Sequence, residues 1–127
     1  MALRLLLGIV GLMSVLGTWQ HWFRIENLRT ERGLEALSII GRANIRADVG
    51  GIFLVIGLFA LLAAWQKDAR WSLAGAMTVS AALLGRFVSL LIDGTNGPVF
   101  LPIAIEAIVA VLFVAAWWSW RITPEGL

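Results

Sequence analysis

Two ionisable residues, Arg86 and Glu106, stand inside long apolar stretches of this sequence. A charge near the centre of a bilayer costs about 2.5–3.5 kcal/mol on insertion scales, so such residues usually face other helices and pair with one another. Arg86 lies eight residues before Gly94, and Glu106 lies eight residues after Pro98. Two antiparallel helices that run from a turn at 94–98 would place both side chains at the same depth. The spacing therefore predicts an Arg86–Glu106 ion pair.

Five more polar side chains can reach the same half of such a bundle. Ser89 and Asp93 continue the helical stripe of Arg86, because steps of three and four residues return to one face of a helix. Three others come shortly before the paired glycines Gly50 and Gly51, which let a backbone or a ligand approach closely. The predicted ligand pocket or cluster of ion pairs comprises Asn44, Arg46, Asp48, Arg86, Ser89, Asp93 and Glu106.

Two interpretations of this cluster stay open. In the first, Arg46 and Arg86 hold an anionic or carbonyl-bearing headgroup, and a desolvated Glu106 has a raised pKa and donates a proton. In the second, the charges neutralise one another and fasten the helices together. A Glu106 that is fully neutralised by Arg86 would count against catalysis, and no residue is assigned a catalytic role.

The elements that carry these residues are long apolar blocks. Sixty per cent of the 127 residues are hydrophobic and 14% are charged, which leaves too little polar surface for a soluble domain of this size. A spanning helix needs about 20 largely apolar residues. The sequence therefore predicts one transmembrane domain over 1–127, an all-α integral membrane antiparallel four-helix bundle, with helices at about 4–22, 46–66, 70–93 and 98–121.

The connections indicate how the helices follow one another. Both links among the last three helices are too short for anything but antiparallel neighbours. Asp68 suits the N-cap of the third helix, Gly94 suits the left-handed residue that ends it, and Pro98 suits the first turn of the fourth. The polar segment 23–45 is either a short interfacial helix or a surface loop.

All seven tryptophans fall near predicted helix ends, and indole rings favour the headgroup region of a bilayer. Side A is defined as the side that bears both termini, and side B as the opposite side. Lysine and arginine counts differ little between the sides, but the side A charges lie nearer the helices, which predicts cytoplasmic termini. Side A holds Trp65, Trp71, Trp117, Trp118 and Trp120, and side B holds Trp19 and Trp22.

The composition also excludes several classes of site. The chain contains no cysteine and one histidine, His21, which rules out disulfides, thiol catalysis and metal sites built from several such ligands of one chain. No phosphate-binding loop occurs, and no cofactor or metal is predicted. The net charge of +2 comes without a basic cluster, so no nucleic-acid partner is predicted. His21, between Trp19 and Trp22, is interpreted as an interfacial residue.

Part of the sequence resembles a known family. The residues that carry the resemblance are Asn-Ile-Arg-Ala-Asp-Val-Gly-Gly at 44–51, Gly-Arg-Phe-Val-Ser-Leu-Leu-Ile-Asp-Gly at 85–94, and Glu106 in the last helix. This pattern is similar to that of the bacterial four-helix membrane proteins grouped as domain of unknown function 4345. The resemblance implies the fold and a multi-pass setting in the bacterial inner (plasma) membrane, and it implies no reaction.

Three functions follow as hypotheses. The first is a binding or accessory membrane protein that holds a lipid-like ligand, a hydrophobic small molecule or a partner helix in the polar pocket. The second is a small membrane enzyme of isomerase or cyclase type that acts on a hydrophobic substrate with an acidic residue. The third is a structural subunit of a homo-oligomer or larger membrane complex, which would turn a face of small residues outward.

Overall fold

A computed structural model describes residues 1–94 and 99–122 of the chain. Within these two ranges the regular structure is helical and no strand occurs, which confirms the all-α prediction. A 3₁₀ turn at Ile25–Asn27 and a π-helical segment at Ile45–Gly50 lie between the α-helices. The α-helices are α1 (Ala2–Phe23), α2 (Leu28–Arg32), α3 (Ile39–Asn44), α4 (Gly51–Gln66), α5 (Ala69–Asp93) and α6 (Phe100–Arg121).

Four helical runs are long and apolar enough to cross a membrane: α1, the continuous run Ile39–Gln66, α5 and α6. The second run starts earlier than the predicted residue 46 because α3 continues through the π-helical segment into α4. Ser38 caps this run, since its hydroxyl accepts a hydrogen bond from the Gly41 amide at 3.0 Å. The site residues Asn44, Arg46 and Asp48 therefore lie within a helix.

The turn between α4 and α5 is fixed by local hydrogen bonds. Lys67 ends α4 in the left-handed conformation, with φ of 54°. The Asp68 carboxylate caps α5, as predicted, by accepting from the Arg70 amide at 2.8 Å. Hydrogen bonds from the Arg70 side chain and then from its amide hold the pKa of Asp68 below the ordinary value of 3.8. These bonds keep α4 and α5 close at side A.

Gly94 ends α5 in a conformation that differs from the expected one. Its φ is positive, at 83°, but its ψ of −167° is extended rather than left-handed helical. The positive φ still explains why glycine suits the position. The predicted role of Pro98 lies outside the described residues.

The connection between α1 and α3 is not a single helix. Gly33, with φ of 66°, ends α2, and an extended Ser38 precedes α3. A small separate core holds the segment together, with Ile25, Leu28 and Ile45 buried in it. An ion pair adds to this, because Arg42 lies 2.6 Å from Glu26. Hydrogen bonds from the backbone and from Arg42 lower the Glu26 pKa below 4.5.

The main core lies in the half of the molecule near the α4–α5 turn. Helix α1 packs along α4, α5 packs along α6, and α4 contacts α5. Close contacts use glycine: Gly11 lies against Gly57, and the Phe113 ring of α6 lies directly over Gly75 of α5. The buried residues of this core are Leu7, Ala60, Ala63, Ala76, Val79, Phe113 and Ala116.

We expect Gly75→Ala to destabilise the protein by about 1–3 kcal/mol, the usual cost of overpacking a core. A Cβ atom at this position would overlap the Phe113 ring. Gly85→Ala is the matched control on the same helix, because a Cβ there meets nothing within 4 Å. Helix unfolding in detergent, followed by circular dichroism against added dodecyl sulfate, measures both. Equal midpoints for the two variants would contradict the close contact.

Candidate ligand cleft

The inward face of α5 is buried in the first half of the helix and not in the second. Ser72, Ala76 and Val79 are buried on this face, and Arg86 lies seven residues beyond Val79 on the same stripe. The face of α6 behaves likewise, because buried Phe113 lies seven residues after Glu106. Beyond Val79 no residue of α5 is buried. The two charged residues thus continue the core-facing stripes into a half of the bundle that is not packed shut.

Arg86 and Glu106 form the predicted ion pair across α5 and α6. The Arg86 Nε atom donates to the Glu106 Oε2 atom at 2.8 Å. The pair is not enclosed, because 43% of the arginine side chain and 22% of the glutamate side chain are exposed. Arg86 lies seven residues before Asp93, which is about 10 Å along the helix at 1.5 Å per residue. The pair is therefore well inside the helical span.

Several hydrogen-bonding atoms of the pair stay unused. Within residues 1–94 and 99–122, the two terminal nitrogens of Arg86 donate to no protein atom. The Glu106 Oε1 atom likewise accepts no hydrogen bond from these residues. In hydrocarbon each such group would cost several kcal/mol. These atoms remain available to water or to a bound polar group.

An open cleft of about 430 Å³ lies between the first half of α4 and the middle of α5. Asp48 lies 18 residues before Gln66, and Arg86 lies 17 residues after Ala69. Since 18 and 17 residues correspond to nearly equal rises, Asp48 and Arg86 lie at nearly the same depth from the α4–α5 turn. We call this space the side B cleft; it is lined by Ala47, Asp48, Gly51, Ile52, Val55 and Thr78.

One face of α5 packs against α4 near the α4–α5 turn and is uncovered further along the helix. Trp71 of α5 still stacks on Phe59 of α4, with ring centroids 5.9 Å apart. Thr78, seven residues further, lines the cleft. Gly85 and Ser89 follow on that face at steps of seven and four and are exposed. The separation of α4 and α5 therefore begins near Thr78.

The other predicted site residues do not join one cluster. Arg46 donates from Nε to the Trp22 carbonyl at 2.9 Å, and the Trp22 indole donates to the Arg46 carbonyl at 2.9 Å. This reciprocal contact fastens the π-helical segment to α1. Ser89 donates to the Asp93 carboxylate at 2.8 Å, one turn away on α5. Across the described part of the chain, the side chains of Asn44 and Asp48 have no hydrogen-bond or ion-pair partner.

His21 is buried inside the protein, two residues before the end of α1, and its interfacial position stays a prediction. Its Nδ1 atom lies 2.7 Å from the Gly17 carbonyl, which accepts a hydrogen bond from the ring. The ring stacks on Phe53 of α4 with centroids 4.8 Å apart. The Nε2 atom is buried and has no partner among the described residues. Glycines at 17 and 50 permit this close packing, because a Cβ at Gly17 would meet the Phe53 ring and one at Gly50 would meet Trp22 and the His21 Cβ.

No protein-family model, curated protein or solved structure matches this chain. The resemblance to the domain of unknown function 4345 family therefore stays a prediction. The function has to be argued from the cleft itself.

The Arg86–Glu106 pair can be tested with a double-substitution cycle. We expect Arg86→Gln and Glu106→Gln each to lower the free energy of unfolding by about 1–3 kcal/mol, because each leaves one charge without its partner. The double substitution should restore most of that loss, since both charges are then absent. The same titration in detergent and dodecyl sulfate measures all three variants.

Arg42→Gln is the matched control, because it breaks the Arg42–Glu26 pair in the connection between α1 and α4, where water solvates both groups. It should leave the unfolding midpoint almost unchanged. Additive losses in the Arg86 and Glu106 variants would show that the two side chains do not stabilise each other.

Proposed function

We propose that this chain is a small integral membrane protein of four antiparallel helices that holds a lipid-like ligand in the side B cleft. Four long apolar helices support the membrane setting. So do the large apolar side chains on their outer faces, among them Leu12, Met77 and Val111, which are 59%, 66% and 66% exposed. A soluble monomer rarely exposes apolar surface on this scale.

The contacts between helices support the antiparallel arrangement. Along α5 and α6, Gly75 meets Phe113 and Arg86 meets Glu106, so one number rises as the other falls. Helices α1 and α4 follow the same rule, because Arg4 donates to the Ala64 carbonyl at 2.7 Å, whereas Gly17 lies against Phe53. Arg4 thereby binds the carbonyl end of α4, where a cation is favoured.

The orientation is part of the proposal: both termini are cytoplasmic and the membrane is the bacterial inner membrane. Positive charges close to the spans at side A support it, with Arg4, Lys67 and Arg121 all near helix ends. Arg121 also lies over the Trp118 ring at 3.7 Å, an arrangement suited to the headgroup region. The inner-membrane setting rests on the family resemblance alone.

Cysteine labelling tests this orientation cleanly, because the chain has no cysteine of its own. We expect Thr30→Cys, in α2 on side B, to react with a membrane-impermeant maleimide in intact cells. Gln66→Cys, at the end of α4, should react only after permeabilisation. The reverse labelling pattern would place the termini outside the cytoplasm.

One observation carries the ligand proposal: the Arg86–Glu106 pair lies on the inward helix faces but is half open, at the depth of the side B cleft. A pair that only fastened helices would be enclosed, so that each polar atom found a partner. The cleft walls combine this polar feature with apolar side chains such as Ile52 and Val55. That combination suits a molecule with a polar head and an apolar body.

A partner helix is the second candidate occupant. Ala81, Gly85 and Ser89 recur every four residues and are exposed on α5, as a subunit surface requires. The enzyme hypothesis gains no such support, because the Glu106 carboxylate already accepts from Arg86 at 2.8 Å. We therefore rank the ligand first and the partner helix second.

Val55→Trp tests the ligand proposal, because it would fill the side B cleft with an indole. Val111→Trp is the matched control, an equal change on the exposed face of α6. Protein extracted from its own membranes in a mild detergent is analysed by native mass spectrometry. We expect wild type and Val111→Trp to retain a small amphiphile and Val55→Trp to lose it. Equal retention by all three proteins would contradict the cleft as the binding site.

A further inference from the structure

Three ionisable side chains lie at the depth of the side B cleft: Asp48, Arg86 and Glu106. Arg86 and Glu106 neutralise each other at 2.8 Å. Asp48 lines the cleft and has no counter-ion within residues 1–94 and 99–122. By formal charge Arg86 is positive and Glu106 and Asp48 are negative, so the cleft carries one uncompensated negative charge.

Three arginines that precede Asp48 in the chain are engaged with other partners. Arg46 donates to the Trp22 carbonyl on α1 at 2.9 Å. Arg42 forms an ion pair with Glu26 at 2.6 Å, and the Arg32 guanidinium lies over the Phe53 ring at 5.1 Å from its centroid. Arg32, Arg42 and Arg46 therefore each contact a partner outside the cleft, and none of them is placed to hold an anion there.

An anionic headgroup would meet an unpaired carboxylate in this cleft. Like charges repel, so a carboxylate at this position disfavours an anionic headgroup. A cationic headgroup would supply the counter-ion that Asp48 lacks. The remaining wall of Gly51, Ile52 and Val55 offers apolar contact to the body of the molecule.

We propose that the occupant of the side B cleft is an amphiphilic cation, with its positive centre at the Asp48 carboxylate and its apolar body along α4. This inference rests on the proposed function and names the chemical class of its ligand. It reverses the expectation of an anionic headgroup held by Arg46 and Arg86. Asp48 acts as the specificity-determining residue, and the Arg86–Glu106 pair contributes no net charge.

Tetraphenylphosphonium and tetraphenylborate form a matched pair of probes, because they share shape and apolar surface and differ in the sign of their charge. Purified full-length protein in neutral-lipid nanodiscs is titrated with each, and protein-free nanodiscs correct for partition into lipid. Equilibrium dialysis measures the bound fraction. We expect saturable binding of the cation, about one per chain, and no saturable binding of the anion.

Asp48→Asn should weaken binding of the cation by at least about tenfold, because it removes the charge and keeps the shape. Asp48→Glu should restore most of the affinity. Glu31→Gln is the control, since Glu31 is an exposed acid of α2 far from the cleft walls. It should bind like wild type.

These experiments distinguish two claims: that the side B cleft is the binding site, and that Asp48 selects a cation. If Val55→Trp abolishes binding of the cation but Asp48→Asn does not, the cleft is the site and the role of Asp48 is wrong. Saturable binding of tetraphenylborate would overturn the sign of the ligand. If neither Val55→Trp nor Asp48→Asn changes binding of the cation, the side B cleft is not its site and the inference fails.

Discussion

How closely the helices can approach one another sets the shape of this molecule. Near the α4–α5 turn the buried core contains the small residues Ala60, Ala63 and Ala76, and the Phe113 ring fits over the bare backbone of Gly75. Small residues allow such contact between helix backbones. Further along α5 the inward stripe carries Arg86, which bonds to Glu106 of α6. The cleft between α4 and α5 begins near Thr78, where α4 and α5 no longer pack against each other.

The Arg86–Glu106 ion pair and the open cleft are related. A bilayer interior offers no hydrogen bonds, so the unused nitrogens of Arg86 would be costly if lipid tails covered them. An open space at that depth lets water or a polar group reach them. Conversely, an enclosed core of the kind that surrounds Val79 could not accommodate a guanidinium with four unpaired N–H groups. The position of the charge therefore favours the separation of the helices.

Hydropathy and residue spacing predicted four long apolar helices and the Arg86–Glu106 contact, because both depend on distances along the chain. The burial of His21 could not be predicted in this way, since it depends on Phe53 from another helix. The π-helical segment has no signature in composition, although π turns often occur at functional sites. A pocket that includes Asp48 was predicted, but its wall of Ile52, Val55 and Thr78 was not, because hydropathy measures the length of a helix and not its distance from a neighbour.

The division of roles between Arg46 and Asp48 follows from helix geometry. Residues two positions apart on a helix project in nearly opposite directions, so one side chain can face α5 only if the other faces α1. Trp22 decides the choice, because its carbonyl accepts from Arg46 while its indole donates to the Arg46 carbonyl. Asp48 is thereby turned to the cleft without its nearest cation.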